Sequence, residues 1–114
     1  MRIVFMGTPD FAVPCLKALL EAHDVAAVVT QPDRPKGRGK NMAMSPVKEL
    51  AVRHGLPVLQ PERARDPQFA GTLKTLNAAL CVVVAYGPIL HETVLSIPAR
   101  GCINVHGSLL LSWR

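Results

Sequence analysis

The order in which apolar runs alternate with helical patterns constrains this chain more than any other feature of its sequence. Five short aliphatic runs have the length of buried β-strands, and they are Arg2–Met6, Val25–Thr30, Pro57–Gln60, Leu80–Ala85 and Cys102–His106. Several of the segments between them carry apolar residues every three or four positions, as on one side of a helix. Strands and helices in this order predict an α/β fold, an open and mostly parallel sheet of about five strands with helices on both faces.

Four helices are predicted between the strands. The first has Thr8 as its cap and Pro9 at its first position, and Pro14 predicts a kink or a later effective start. The other three are Pro46–Gly55, a helix that opens at Asp66 or Pro67, and Leu90–Leu95. Gln31–Ser45 is predicted to be a long loop, because prolines, glycines and polar residues fill it.

Composition limits the class of protein. Hydrophobic residues make up 49% of the 114 residues and aromatic residues only 4%, so one aliphatic core is expected. No apolar run approaches the ~18–20 residues of a membrane helix, and the apolar start is too short for a signal peptide. Cys15, Cys81 and Cys102 are odd in number and widely spaced, which favours free buried thiols in a cytoplasmic protein. The histidines and cysteines show no metal-ligand spacing, so no metal is expected.

The formal charge of +5 is concentrated in one segment. Arg34, Lys36, Arg38 and Lys40 lie close together, with Asp33 as the one acidic residue among them. One interpretation is an ordinary solvated loop. The functional interpretation is contact with nucleic acid, since Arg and Lys bind phosphates without reading sequence. The loop contains no aromatic residue, so stacking on bases is not expected.

Asn104 and His106 are separated by one residue at the end of the last apolar run. Alternation along a strand places both side chains on one face, where an amide donor and an imidazole converge beyond the strand end. Such a pair suits the stabilisation of an oxyanion and proton transfer near neutral pH, although an ordinary strand end is the alternative. Gly7 and Tyr86-Gly87 also follow strands, so all of these residues are expected at one crevice.

The glycine-rich segments match no nucleotide-binding motif. After the first strand, Pro9 and Ala12 stand where a dinucleotide fingerprint requires glycine. In the basic loop, Arg34 and Asn41 replace the glycine and the hydroxyl residue of a P-loop. NAD binding and a P-loop are therefore not expected.

Longer blocks of the chain resemble the methionyl-tRNA formyltransferase family. Arg2–Ala12 is similar to the family's N-terminus, and Gln31–Lys40 with Ser45–Lys48 resembles its inserted loop. Val83–Gly87 and Gly101–Leu110 continue the resemblance. The last block is shared with formyltransferases that act on glycinamide ribonucleotide or on amino sugars, whereas the basic loop favours the tRNA enzyme.

The resemblance implies an enzyme with a Rossmann-like sheet. It would transfer a formyl group from 10-formyltetrahydrofolate to the α-amine of initiator methionyl-tRNA, with no metal, no membrane and no evident protein partner. Asn104 and His106 would be catalytic. The implied folate-binding residues are Tyr86, Gly87, Ser108, Leu109, Leu110 and Leu111. The implied tRNA-binding residues are Arg34, Lys36, Arg38 and Lys40.

The sequence departs from the family pattern near its end. Leu111 and Ser112 stand where the family has Pro and Arg, and the loss of Pro frees a backbone angle. The family's third catalytic residue, an Asp, and its C-terminal domain lie beyond residue 114. Residues 1–114 are thus expected to be the N-terminal portion of a formyltransferase domain, with activity impaired because one proton-transfer group is typically worth ~10²–10⁴ in rate.

Three alternatives remain open from the sequence. One is a non-catalytic fragment that binds tRNA or folate, and another is formyl transfer to a different amine. The third is a fragment that does not fold stably. A cooperative thermal transition would exclude the last of these.

Overall fold

Five parallel strands form the sheet that the sequence predicts. The computed structural model describes residues 1–36, 41–86, 90 and 92–105. The strands of the sheet are β1 (Arg2–Gly7), β2 (Asp24–Val29), β5 (Val58–Leu59), β6 (Leu80–Val84) and β7 (Cys102–Val105). The remaining two strands, β3 (Arg34–Lys36) and β4 (Asn41–Ala43), form a separate ribbon.

The order of the strands across the sheet is β5-β2-β1-β6-β7, and every neighbouring pair is parallel. The chain therefore starts in the middle, builds outward to one edge and then crosses over to build the other half. The crossover creates a topological switch point between β1 and β6. In open parallel sheets this is the position where a ligand crevice forms, at the carboxyl ends of the strands.

Two helices cover each face of the sheet, as predicted. Helices α1 (Val13–Ala22) and α2 (Pro46–Arg53) pack on the face that carries Ile3 and Phe5. Helices α3 (Pro67–Leu76) and α4 (Glu92–Leu95) pack on the opposite face. The three central strands β1, β2 and β6 are almost entirely apolar because both of their faces are buried, which is why uniform aliphatic runs rather than alternating patterns predict them.

The start of the first helix differs from the prediction. Thr8 does not cap it, because a 3₁₀ turn over Asp10–Ala12 comes first and α1 begins at Val13. Pro14 then lies in the first helical turn, where a missing N–H costs no hydrogen bond. The later start is confirmed and no kink at Pro14 is needed. The side chain of Thr8 is engaged elsewhere, in the crevice described below.

The predicted long loop contains regular structure that the sequence prediction missed. Strands β3 and β4 pair antiparallel, with Arg34 opposite Ala43 and Lys36 opposite Asn41. Each strand has three residues, and β3 contains a proline, so neither carries a readable β pattern. This two-stranded element, called the basic ribbon below, connects β2 to α2.

No helix within the described ranges is long and apolar enough to cross a membrane.

Candidate functional site

Three turns meet at the switch point of the sheet. The Thr8 hydroxyl, which directly follows β1, donates to the Tyr86 carbonyl at 3.4 Å. The side-chain amide of Gln31, beyond β2, donates to the same carbonyl at 2.8 Å. Ala85 makes the turn out of β6 with a φ of 49°, a left-handed conformation that is uncommon for alanine. The described part of the predicted crevice is therefore held together through the Tyr86 backbone.

A chain of hydroxyl groups runs beneath this crevice. The Thr30 hydroxyl donates to Thr8 Oγ1 at 3.3 Å and lies 3.0 Å from the Ser45 hydroxyl. Each hydroxyl has one proton, and Thr30 donates its proton to Thr8, so Ser45 is the donor toward Thr30. Ser45 Oγ in turn accepts from the backbone N–H of Lys48 at 3.1 Å, which caps α2. The crevice and the first turn of α2 are thus linked by one continuous set of hydrogen bonds.

A carboxylate anchors the base of the basic ribbon. Asp33 Oδ2 accepts from Lys48 Nζ at 2.9 Å, and Asp33 Oδ1 accepts from Gln60 Nε2 at 2.8 Å. Hydrogen bonds from Lys48 and from Gln60, with the lysine charge, hold the pKa of Asp33 below its usual value. This trio, called the Asp33 clamp below, joins the residue before β3 to α2 and to the end of β5.

Asn104 lies on the outermost described strand, β7, in register with Val83. Val83 is itself paired with Met6, so Asn104 lies level with the last residues of β1 and β6. The side chain of Asn104 is exposed although its strand neighbours on β6 are buried. An exposed amide at this edge has its donor and acceptor available to a ligand.

Eight of the predicted site residues lie outside the described residues. They are Gly87, His106, Ser108, Leu109, Leu110, Leu111, Arg38 and Lys40. Arg34 and Lys36 lie on β3, directly after the Asp33 clamp. The structure therefore describes Asn104, Tyr86 and the start of the basic ribbon, and the roles of all twelve residues stay predictions.

Tyr86 has a buried side chain, only 2% exposed. Its hydroxyl has no hydrogen-bond partner within the described part of the chain. Burial disfavours the phenolate and raises the pKa of Tyr86 to about 12. The phenol packs in the core against the α3 face, so the part of Tyr86 that faces the crevice is its backbone.

The sequence analysis missed the polar residues that build the crevice. Most of them follow directly on a strand: Thr8 after β1, Thr30 and Gln31 after β2, and Gln60 after β5. The rule that ligands lie at the carboxyl ends of parallel strands applies to these positions as well. Their residue types, threonine and glutamine, carry no chemical signal of their own that would single them out.

The cysteines are only partly as predicted. All three are free, but Cys81 alone is buried, while Cys15 and Cys102 are partly exposed. Although they are widely spaced in the sequence, Cys81 and Cys102 are neighbours in the structure, because they lie opposite each other on β6 and β7. A hydrogen bond between the two thiols lowers the pKa of Cys102 and raises that of Cys81. No group of three or more His, Cys, Asp or Glu that could hold a metal occurs among the described residues.

The fold and the crevice define a class of protein: an α/β protein whose doubly wound parallel sheet presents polar groups at the switch point. The model of the formyl transferase family matches residues 1–114, so the chain belongs to the formyl transferase family. This confirms the resemblance and makes the chain a member of an enzyme family.

Curated relatives carry a more specific name. The chain is 62% identical to the methionyl-tRNA formyltransferase of Lachnospira eligens, over 100% of this chain and 36% of that protein. It is 57% identical to the methionyl-tRNA formyltransferase of Clostridioides difficile, over 100% and 37% respectively. The protein of that name from Myxococcus xanthus is 58% identical, over 99% and 36%. The chain thus spans about a third of the length of the curated relatives it matches.

Proposed function

We propose that this protein transfers a formyl group from 10-formyltetrahydrofolate to the α-amine of methionine carried on initiator tRNA. The observation that carries the proposal is Asn104, an exposed amide at the carboxyl edge of a sheet whose family is that of formyl transferases. The name that the relatives share, methionyl-tRNA formyltransferase, supports tRNA as the acceptor. The basic segment supports it independently, since four cations suit a phosphate backbone.

Asn104 supplies a hydrogen-bond donor to the formyl oxygen. When the amine attacks the formyl carbon, that oxygen gains negative charge, and a fixed donor stabilises it more strongly than the neutral carbonyl. The carbonyl re-forms as the bond between the formyl carbon and the folate nitrogen breaks, and that nitrogen takes up a proton, so that tetrahydrofolate leaves. His106 takes the proton that the attacking nitrogen loses, a role for which histidine is the most common side chain. The backbone around Tyr86-Gly87 and the segment Ser108–Leu111 contact the folate.

The basic ribbon binds the acceptor end of the tRNA. Arg34, Lys36, Arg38 and Lys40 neutralise phosphates, so affinity should fall steeply as salt is raised. These contacts position the aminoacyl end without reading sequence. We place the reaction in the cytoplasm, a compartment in which neighbouring thiols such as those of Cys81 and Cys102 stay reduced.

The test is a formyl-transfer assay with a labelled formyl group on the folate donor. The purified protein is offered initiator methionyl-tRNA, glycinamide ribonucleotide and an amino sugar in competition. We expect label on the methionyl-tRNA, and transfer to a small amine instead would contradict the proposed acceptor. An Arg38→Ala variant should raise KM for the tRNA and flatten its salt dependence.

The same assay separates the second candidate function. Salt-sensitive binding of tRNA, or binding of folate, with no formylmethionyl-tRNA formed would support a protein that binds but does not react. The unaltered protein and its Asn104→Ala variant would then bind the tRNA or the folate equally well.

A further inference from the structure

The Asp33 clamp lies where the basic ribbon leaves the body of the protein. Asp33 immediately precedes β3, and both of its carboxylate oxygens are engaged, one by Lys48 and one by Gln60. These partners come from α2, which packs on the sheet, and from the residue after β5, which is an edge strand of the sheet. The clamp therefore ties one end of the ribbon to the rigid core at two points.

The members of the clamp are themselves held. Gln60 Nε2 also donates to the Gln31 carbonyl at 3.2 Å. The Lys48 backbone is bonded to Ser45, which directly precedes α2 at the other end of the ribbon segment. The side chains of Lys48 and Asp33 are 18% and 25% exposed, so the pair is partly shielded from water. Side-chain hydrogen bonds therefore hold the chain on both sides of the basic ribbon, at Asp33 before β3 and at Ser45 after β4.

The charge of Asp33 is unfavourable for the function of its surroundings. It is the one acidic residue between Gln31 and Lys40, within a segment that carries four cations. On charge alone, an aspartate here weakens binding to a polyanion and partly neutralises Lys48. Its two short hydrogen bonds give it a geometric role instead.

We propose that Asp33 is a positioning residue: by holding the backbone at the start of β3, it presents the basic ribbon to the acceptor end of a bound RNA. The choice of RNA as the ligand rests on the proposed function. The geometric part, that Asp33 sets the ribbon's direction, does not. Lys48 and Gln60 act as the fixed points from which Asp33 holds β3.

The test uses Asp33→Asn in the full chain, with Glu21→Gln as the matched control. Glu21 is exposed near the end of α1, which leads into the amino end of β2, the opposite edge of the sheet from the ribbon. Both variants remove one negative charge. If Asp33 acts only through its charge, Asp33→Asn should bind initiator methionyl-tRNA more tightly, while Glu21→Gln, whose charge is far from the ribbon and screened by salt, should leave binding unchanged. The proposal predicts weaker binding for Asp33→Asn alone, on the order of tenfold, as for the loss of one charge-assisted hydrogen bond.

A second readout needs no RNA. Exchange of the β4 amide hydrogens that bond to β3, measured by NMR, should be faster in Asp33→Asn and unchanged in Glu21→Gln, while β1 and β6 keep their protection. Gln60→Met, which changes no charge, should also speed exchange in β4. It carries the test if Asp33→Asn fails to fold.

The outcomes separate the two claims. Unchanged exchange in β4 of both clamp variants, or tighter tRNA binding by Asp33→Asn, overturns the positioning role. Faster exchange in β4 supports that role even if the unaltered protein binds no tRNA, a result that would count against the proposed function alone.

Discussion

At the scale of single residues, the crevice depends on hydroxyl groups that have no catalytic character of their own. Thr30 is the buried polar residue of the described core, with 0% exposure. It bonds Thr8 on one side and Ser45 on the other. Burying a hydroxyl costs free energy unless it is hydrogen-bonded. Loss of the hydroxyl at this position should therefore destabilise the protein even when the size of the side chain is kept.

Thr30→Val tests this sensitivity, because valine keeps the shape and removes the hydroxyl. Ser45 then loses its acceptor and Thr8 loses one of two donors, the other being the backbone N–H of Gln31. The free energy of unfolding should therefore fall by about 1–3 kcal/mol. Urea denaturation measures the change. Thr75→Val, at an exposed position of α3, should change it by less than about 0.5 kcal/mol. Equal effects of the two substitutions would contradict the account.

The thiols give a pH-dependent prediction. Thiolates react with iodoacetamide and thiols do not. The pKa of Cys102 is lowered by Cys81, whereas burial raises the pKa of Cys15. As pH rises, Cys102 should therefore be alkylated first, as measured by mass spectrometry of peptides.

Substitutions of Cys81 check the cause of this order. Cys81→Ser keeps a hydrogen-bond donor and should preserve the order of alkylation. Cys81→Ala removes the donor and should shift the alkylation of Cys102 to higher pH. Alkylation of Cys15 before Cys102 in the unaltered protein would refute the prediction.

The role of a residue could be predicted from the sequence only where its side-chain type has a characteristic chemical function. Asn104 could be placed at a strand end from the pattern alone, and it lies on β7 with an exposed side chain. Thr30 and Asp33 could not be singled out, because their importance comes from partners 15 or more residues away. Such long-range pairs become visible only when the sheet order is known.

At the scale of elements, the close approach of β1 and β6 sets the width of the switch point. Gly7 ends β1 opposite Val84. A Cβ on Gly7 would lie 2.8 Å from the Val84 carbonyl oxygen and 2.9 Å from the Phe5 ring. The glycine is therefore required by the backbone of its neighbour, and the two strands would separate around any larger residue.

Gly7→Ala should destabilise the protein by about 1–3 kcal/mol, the range for overpacking in a close-packed core. Gly71→Ala is the matched control, since Gly71 lies within α3 with no atom within 4 Å of its added Cβ. That substitution should stabilise the protein by roughly 0.5–1 kcal/mol, because alanine favours a helix. Thermal unfolding of both variants measures the contrast, and a shift of the same sign in both would refute this explanation.

Elements that contribute side chains to the core were predicted well, and those that contribute few were predicted poorly. The five parallel strands and the helices α2 and α3 appear close to their predicted positions. The basic ribbon was missed because two three-residue strands bury little and leave no hydrophobic period to detect. The start of α1 was shifted because the 3₁₀ turn before Pro14 has no sequence signal that separates it from an α-helix.

At the scale of the whole molecule, the crevice and the basic ribbon both lie at the carboxyl ends of the strands of the sheet. The Asp33 clamp and the hydroxyl chain from Lys48 through Ser45, Thr30 and Thr8 connect them. A polyanion held by the ribbon therefore lies beside the carboxyl ends of the strands. This arrangement is what the proposed transfer to an aminoacyl-tRNA requires, and it explains why the positive charge is concentrated rather than spread.

The most direct test of formyl transfer at this edge is kcat for formylation of initiator methionyl-tRNA by the Asn104→Ala variant. Ile103→Ala is the control, because Ile103 is the neighbouring exposed residue on β7, 46% exposed, and alternation places it on the opposite face. Loss of one oxyanion donor should lower kcat by about 10²–10³-fold, while Ile103→Ala stays within a few-fold of the unaltered protein. A kcat of Asn104→Ala equal to that of Ile103→Ala would contradict the central claim.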